Sequence, residues 1–239
     1  MTTVTALDVR RLFNVTQETR YRFNGRHGDD KIVMPYLMDH VAHVVHRIAV
    51  DAAEAACRSA PDPGPPCPVP EVDAWRAPSG VVAHRAVEVL GRLPDWPGFR
   101  EFCRVDDRAR SLLWEPAREL AAGGSREVAR AVRRRVLTDY TAFLADMYVL
   151  AVLRGYGLDV RVHPLADLVF EVDAWVGRLV LDLRGGRRRA EALLVHAMPP
   201  FFFGDLKITA HDRIGAVTVP DRAGLDRAVR RLRKVLYPS

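Results

Sequence analysis

Between Arg154 and Leu158 the hydrophobic period of the chain changes, and that change sets the fold class. Upstream, Val128, Val132, Val136, Tyr140, Phe143 and Met147 recur at helical spacing behind Ser125, a good N-cap. They predict one long helix from Ser125 to Arg154, stopped by Gly155 or Gly157. Downstream, residues 158–163, 167–176, 179–184, 205–211 and 214–219 read as strands, and residues 221–237 as a basic amphipathic helix. Ahead of the long helix, helical patterns cover 6–13, 38–58, 80–92, 98–110 and 112–122. Helices first and strands later predict an α+β fold: a helical N-terminal region over 1–122, then a mostly antiparallel sheet with flanking helices over 123–239. The proline-rich run at 60–70 reads as a stiff surface connection, because proline fixes φ and removes backbone donors.

Within the strand region, Gly177-Arg178 reads as a two-residue type II′ turn with glycine first, which fixes the register of its hairpin. Val176 then pairs with Leu179, Trp175 with Val180, Asp173 with Asp182 and Glu171 with Arg184. Alternation puts Phe170, Val172, Ala174, Val176, Leu179, Leu181 and Leu183 on an apolar face, and the three acids with Arg184 on the other. Opposed carboxylates within about 5.5 Å repel unless a shared proton or an oxygen-ligated divalent metal sits between them. The competing use of this face is a solvated one, with Glu171–Arg184 as an ion pair and the aspartates splayed into water.

A chain of 239 residues with 49% hydrophobic and 28% charged residues has room for a sizeable core and reads as one large or two small soluble domains. With no signal-peptide pattern at the N-terminus and no uninterrupted apolar run of membrane-spanning length, the expected compartment is the cytoplasm. Cys57, Cys67 and Cys103 are an odd number without metal-ligand spacing, which argues against a disulfide framework. The net charge of +6 favours a polyanionic partner. Only Lys31, Lys207 and Lys234 among the 36 basic residues are lysine, so clustering informs more than the count. Arginines cluster at 130–135, at 184–189 and at 227–233; Arg187, Arg188, Arg189, Arg230 and Arg231 are the nucleic-acid contacts this predicts. A homodimer is compatible with the sequence.

The order long helix, three strands, connecting segment and further strand resembles the core of the PD-(D/E)XK nuclease superfamily over roughly residues 140–211. The resemblance implies a restriction-endonuclease-like core, a nuclease-like domain over 123–239 and a Mg²⁺-dependent phosphodiesterase acting on DNA or RNA. In that family an acid on the second strand and an acid-x-Lys motif on the third hold the metal and position the attacking water. Here Asp173 takes the first place, with Asp167 as a rival, and Asp182-Leu183-Arg184 the second; Asp146 matches an acid on the preceding helix. Glu171 joins Asp173 and Asp182 as a metal candidate. Arg184 departs from the family's lysine, and a guanidinium cannot give up a proton. A literal Asp205-Leu206-Lys207 follows one strand later. Asp173, Asp182, Arg184 and Lys207 are thus the catalytic candidates, and chain order and residue chemistry favour different motifs.

Two further segments bear on function. His40, His43 and His46 on a helix would bring adjacent pairs of imidazoles within reach of one metal, although spacing of three carries the outer pair apart. Residues 6–23 resemble a helix-turn-helix with Arg20 and Arg22 on its second helix, flawed by Arg20 standing at a position such motifs bury. The alternatives to a nuclease are a non-catalytic nucleic-acid-binding or regulatory protein using the arginine clusters and this N-terminal segment, and a small-molecule enzyme of a specialised pathway. No phosphate-binding loop, nucleophile elbow or dinucleotide fingerprint occurs.

Overall fold

The computed structural model describes residues 4–14, 42–43, 47–75, 77–183, 201–206 and 210–237. In chain order these form β1 (Val4–Thr5), α1 (Ala6–Leu12), β2 (Ala42–His43), α2 (Val50–Ser59), α3 (Pro70–Ala74), α4 (Ser79–Leu90) and α5 (Trp96–Val105). A single helical turn at Asp107–Ala109 and a π-helical turn at Arg110–Trp114 lead into α6 (Glu115–Gly123) and the long α7 (Arg126–Gly155). Then come α8 (Pro164–Phe170), β3 (Ala174–Val176), β4 (Leu179–Asp182), β5 (Phe202–Asp205), β6 (His211–Ile214), β7 (Val217–Pro220) and α9 (Arg222–Leu236). The fold is α+β, with small sheets of two or three strands.

The chain divides into two compact units, neither a single stretch of sequence. The first comprises 1–47, 149–212 and 220–239; the second comprises 48–148 and 213–219. A boundary at 122/123 therefore falls inside the second unit.

The second unit is helical. Its α4 buries Val81, Val82, Ala83, Ala86 and Val87, while Phe99 of α5 stacks on Tyr140 of α7 with ring centroids 4.3 Å apart. The Tyr140 hydroxyl donates to the Pro94 carbonyl. Arg85 grips Asp106 through two bonds of 2.8 Å, and the same carboxylate caps the N–H of Ala109 at 2.9 Å. Residues 61–69 form neither helix nor strand, as the prolines require, and Pro70 starts α3 at its first position. Gly215 turns back hard against the end of α2: a Cβ there would lie 2.8 Å from the Arg58 Cα, and φ is +62°. Only glycine meets both demands.

The first unit holds the three-stranded sheet. Phe13 is its aromatic hub, stacked 4.9 Å from Phe201 and 5.3 Å from Phe170, and edge-on at 5.2 Å to Trp175. Aromatic pairs in these geometries add roughly 0.5–1.5 kcal/mol each beyond area burial. The closing helix α9 is capped by Asp221, which accepts from Gly224 N–H at 3.0 Å, and buries Leu225, Ala228, Val229 and Leu232.

Several expected elements are corrected. Of the helix expected over 38–58, the described residues form helix at Val50–Ser59, while Ala42–His43 pairs antiparallel with Val4–Thr5. Residues 158–163 contribute one isolated bridge, Arg161 to Trp175, rather than a strand. Residues 164–170 are α8, since Pro164 fits the first helical position and the His163 imidazole caps Leu165 N–H. By length and composition α7 matches a membrane span, but its most apolar window is 67% buried, as in a core helix.

Candidate functional site

The Gly177-Arg178 turn forms as expected: Gly177 has φ 56°, and the ladder pairs Val176 with Leu179, Trp175 with Val180 and Ala174 with Leu181. The ladder stops one rung short of Asp173 and Asp182. Asp173 instead turns its Oδ2 to accept the N–H of Leu183 at 2.9 Å. Two carboxylates in register repel, and a charge-assisted bond to backbone gives one of them a positive partner in place of the other's negative one. Further along the same face the sheet is packed: Trp175 and Val180 are 1% and 2% exposed. Both Asp173 and Asp182 are half-buried.

The pairing that chain order hides is on the other edge of β4. β5 lies parallel to it, and the register sets Leu179 beside Phe202, Leu181 beside Gly204 and Asp182 beside Asp205. Asp173, Asp182 and Asp205 therefore occupy one end of the sheet on three successive strand positions. The acids that open the two rival motifs of the sequence, Asp182 and Asp205, share that end. Arg184, Arg187, Arg188, Arg189 and Lys207 lie outside the described residues, as do His40, His46 and residues 15–23 of the helix-turn-helix-like segment.

Glu171 does not join these acids in the ladder. It caps the C-terminus of α8 at φ 54°, its N–H bonded to the Asp167 carbonyl at 2.9 Å, so it precedes β3, and its expected partner at 184 lies outside the described residues. A non-glycine residue with positive φ is uncommon, and the cap explains this one. Asp167 lies within α8, not on a strand, and Asp146 belongs to the second unit. His43 stands on β2, where the helical spacing behind a histidine metal pair no longer applies. Arg230 and Arg231 are exposed on α9.

Sequence reasoning missed His163. It is fully buried; its Nδ1 accepts Leu165 N–H at 3.1 Å, which leaves the proton of the neutral ring on Nε2. Burial pushes its pKa down to about 3, Asp8 countering only in part. In the same unit, buried Arg154 donates from Nε to the Val160 carbonyl at 2.9 Å; burial lowers its pKa to about 10, so it stays charged at neutral pH. Counted outward from the Arg161–Trp175 bridge, His163 falls at the register position of Asp173. The signal available in sequence was the His-Pro dipeptide at a strand-to-helix junction.

Among the described residues, no three of the side chains His, Cys, Asp and Glu form a group able to hold a metal ion. Mg²⁺ does not demand three: it is commonly held by one or two carboxylates, with water and substrate phosphate completing its octahedron. The register sets Asp182 beside Asp205, two residues of that ligand class on adjacent strands. Compared with protein-family models, curated proteins and solved structures, the chain matches none.

Proposed function

We propose that the chain is a Mg²⁺-dependent, nuclease-like phosphodiesterase acting on DNA or RNA, with its site at the acidic end of the three-stranded sheet. The observation that carries this reading is the parallel register of β4 and β5, with Asp182 directly beside Asp205. The pairing order, an antiparallel bridge, an antiparallel hairpin and then a parallel strand, also supports the PD-(D/E)XK resemblance. Asp182 and Asp205 would hold the metal, and Asp173, oriented by the Leu183 N–H, would shape its outer ligation or orient the incoming water. A bound Mg²⁺ lowers the pKa of its water and offsets charge that builds on the phosphate. Arg184 and Lys207 follow the two acids by two residues each and supply the cationic side of the site. Exposed Arg227, Arg230 and Lys234 on α9 give a polyanion a basic surface in the same unit.

One observation favours a second reading, a nucleic-acid binder without catalysis: Asp173 already spends one carboxylate oxygen on backbone. The readings separate in one experiment on single- and double-stranded DNA and RNA with Mg²⁺, Mn²⁺ or EDTA. The nuclease cleaves only with metal, and Asp182→Ala lowers the rate at least 100-fold. Metal-independent, steeply salt-dependent binding with no cleavage supports the binder, and an undiminished metal-dependent rate in Asp182→Ala overturns the nuclease.

A further inference from the structure

A cavity of about 250 Å³ opens within the second unit, away from any role in the chemistry above. Its walls are apolar and aromatic: Trp96 and Phe99 of α5, Leu113 and Trp114 of the π-helical turn, and Val132 of α7. The turn matters to the shape. Pro116 has no N–H to give the Leu112 carbonyl, and the widened turn at Arg110–Trp114 absorbs the missing bond while lining the cavity with Leu113 and Trp114. Such π-helical insertions concentrate at functional sites.

The rim carries charge of one sign. Exposed Arg100, Arg118 and Arg133 come one each from α5, α6 and α7. Several other arginines of these segments are matched, Arg104 to Glu101, Arg110 to Asp107 and Glu115, and Arg135 to Asp139, while Arg126 and Arg130 of α7 have no partner among the described residues. The three rim arginines have no ion-pair or hydrogen-bond partner among the described residues. An apolar pocket ringed by uncommitted guanidinium groups is complementary to a hydrophobic body with an oxyanion at one end. The volume sits just below the roughly 300–1,000 Å³ of pockets for drug-sized ligands. That limits the body to a small ring system or short chain.

We propose that this cavity binds a small hydrophobic oxyanion, a carboxylate or phosphate monoester, its body between Trp96 and Trp114 and its charge on the three arginines. Binding to the full-length chain is measured by calorimetry with 2-naphthoate and 2-naphthyl phosphate, against neutral 2-naphthol and cationic 2-naphthylmethylamine. At least one anion should bind saturably and about tenfold or more tighter than either control, a gap of about 1.4 kcal/mol. The tighter of the two anions identifies the head group. Arg118→Gln with Arg133→Gln should remove the preference, and Ala129→Phe, which projects into the cavity, should remove binding. No saturable binding of either anion at millimolar concentration, equal affinity for all four probes, or an unchanged preference in the double arginine variant overturns the site. Should Ala129→Phe fail to fold, the surface arginine changes still decide. The readout needs neither metal nor cleavage, so it stands or falls separately from the sheet-end site.

Discussion

The acidic sheet end of the first unit and the cavity of the second are built on opposite principles. At the sheet end, position is set by hydrogen bonds: ladder register places Asp182 beside Asp205, and backbone N–H groups engage Asp173 and His163. Around the cavity, position is set by volume: aromatic rings and aliphatic side chains on four helical segments leave a space, and the charges stand outside it. The comparison teaches which perturbation each region should feel. Proton activity and polar substitution should act on the first, side-chain size on the second.

The largest effects come from emptying either core. Trp175→Ala in the first unit and Phe99→Ala in the second should each cost about 3–5 kcal/mol in denaturant unfolding. Only Phe99→Ala should enlarge the cavity and admit bulkier naphthalene derivatives; an identical ligand range in that variant would break the contrast.

Next is the buried imidazole. His163 is neutral when folded and binds a proton readily when unfolded, so stability falls as pH drops below about 6.5 and continues to fall toward about 3. The slope from this group is about 1.4 kcal/mol per pH unit. His163→Asn, which keeps an acceptor for Leu165 N–H, should flatten stability measured between pH 6.5 and 5; an unchanged slope would remove the burial argument.

Arg85→Ala should cost about 1–3 kcal/mol by leaving Asp106 without its bidentate partner. Burial pushes the Asp106 carboxyl up, but bonds from Arg85 and Ala109 N–H outweigh it and hold the group below the ordinary carboxylate range. Its contribution is therefore present above the unfolded pKa of roughly 4 and lost as pH falls through the lower folded value. The difference between wild type and Arg85→Ala should shrink in acid. Smallest of all, Arg118→Gln should leave stability within about 0.5 kcal/mol, since the exposed side chain has no partner among the described residues.

The hairpin register was legible because a local two-residue turn determines it, down to the rung beside the two aspartates. The partner of β4 was not, because parallel pairing joins segments separated by a crossover and leaves no short-range pattern. The pentapeptide Glu-Val-Asp-Ala-Trp shows how weak local sequence is without context. At 71–75 it follows Pro70 into helix α3; at 171–175 it follows the end of α8 and runs into the Gly177 turn, so its last two residues are strand. His163 was read as the end of a strand where it is the N-cap of a helix that begins at Pro164. Helix α8 took residues 167–170 of the strand expected over 167–176 and made Glu171 its C-terminal cap. Aromatic residues of the cavity were visible only as helix-core positions, since a void is a property of several helices together.

The most direct test is a double-mutant cycle on Mn²⁺ affinity in the full-length chain, using Asp182→Asn, Asp205→Asn and the pair. If the two carboxylates hold one ion from adjacent positions of β4 and β5, each single change weakens binding at least tenfold and the double variant is little worse than either. Additive losses, or unaltered affinity in either single variant, would contradict a shared site.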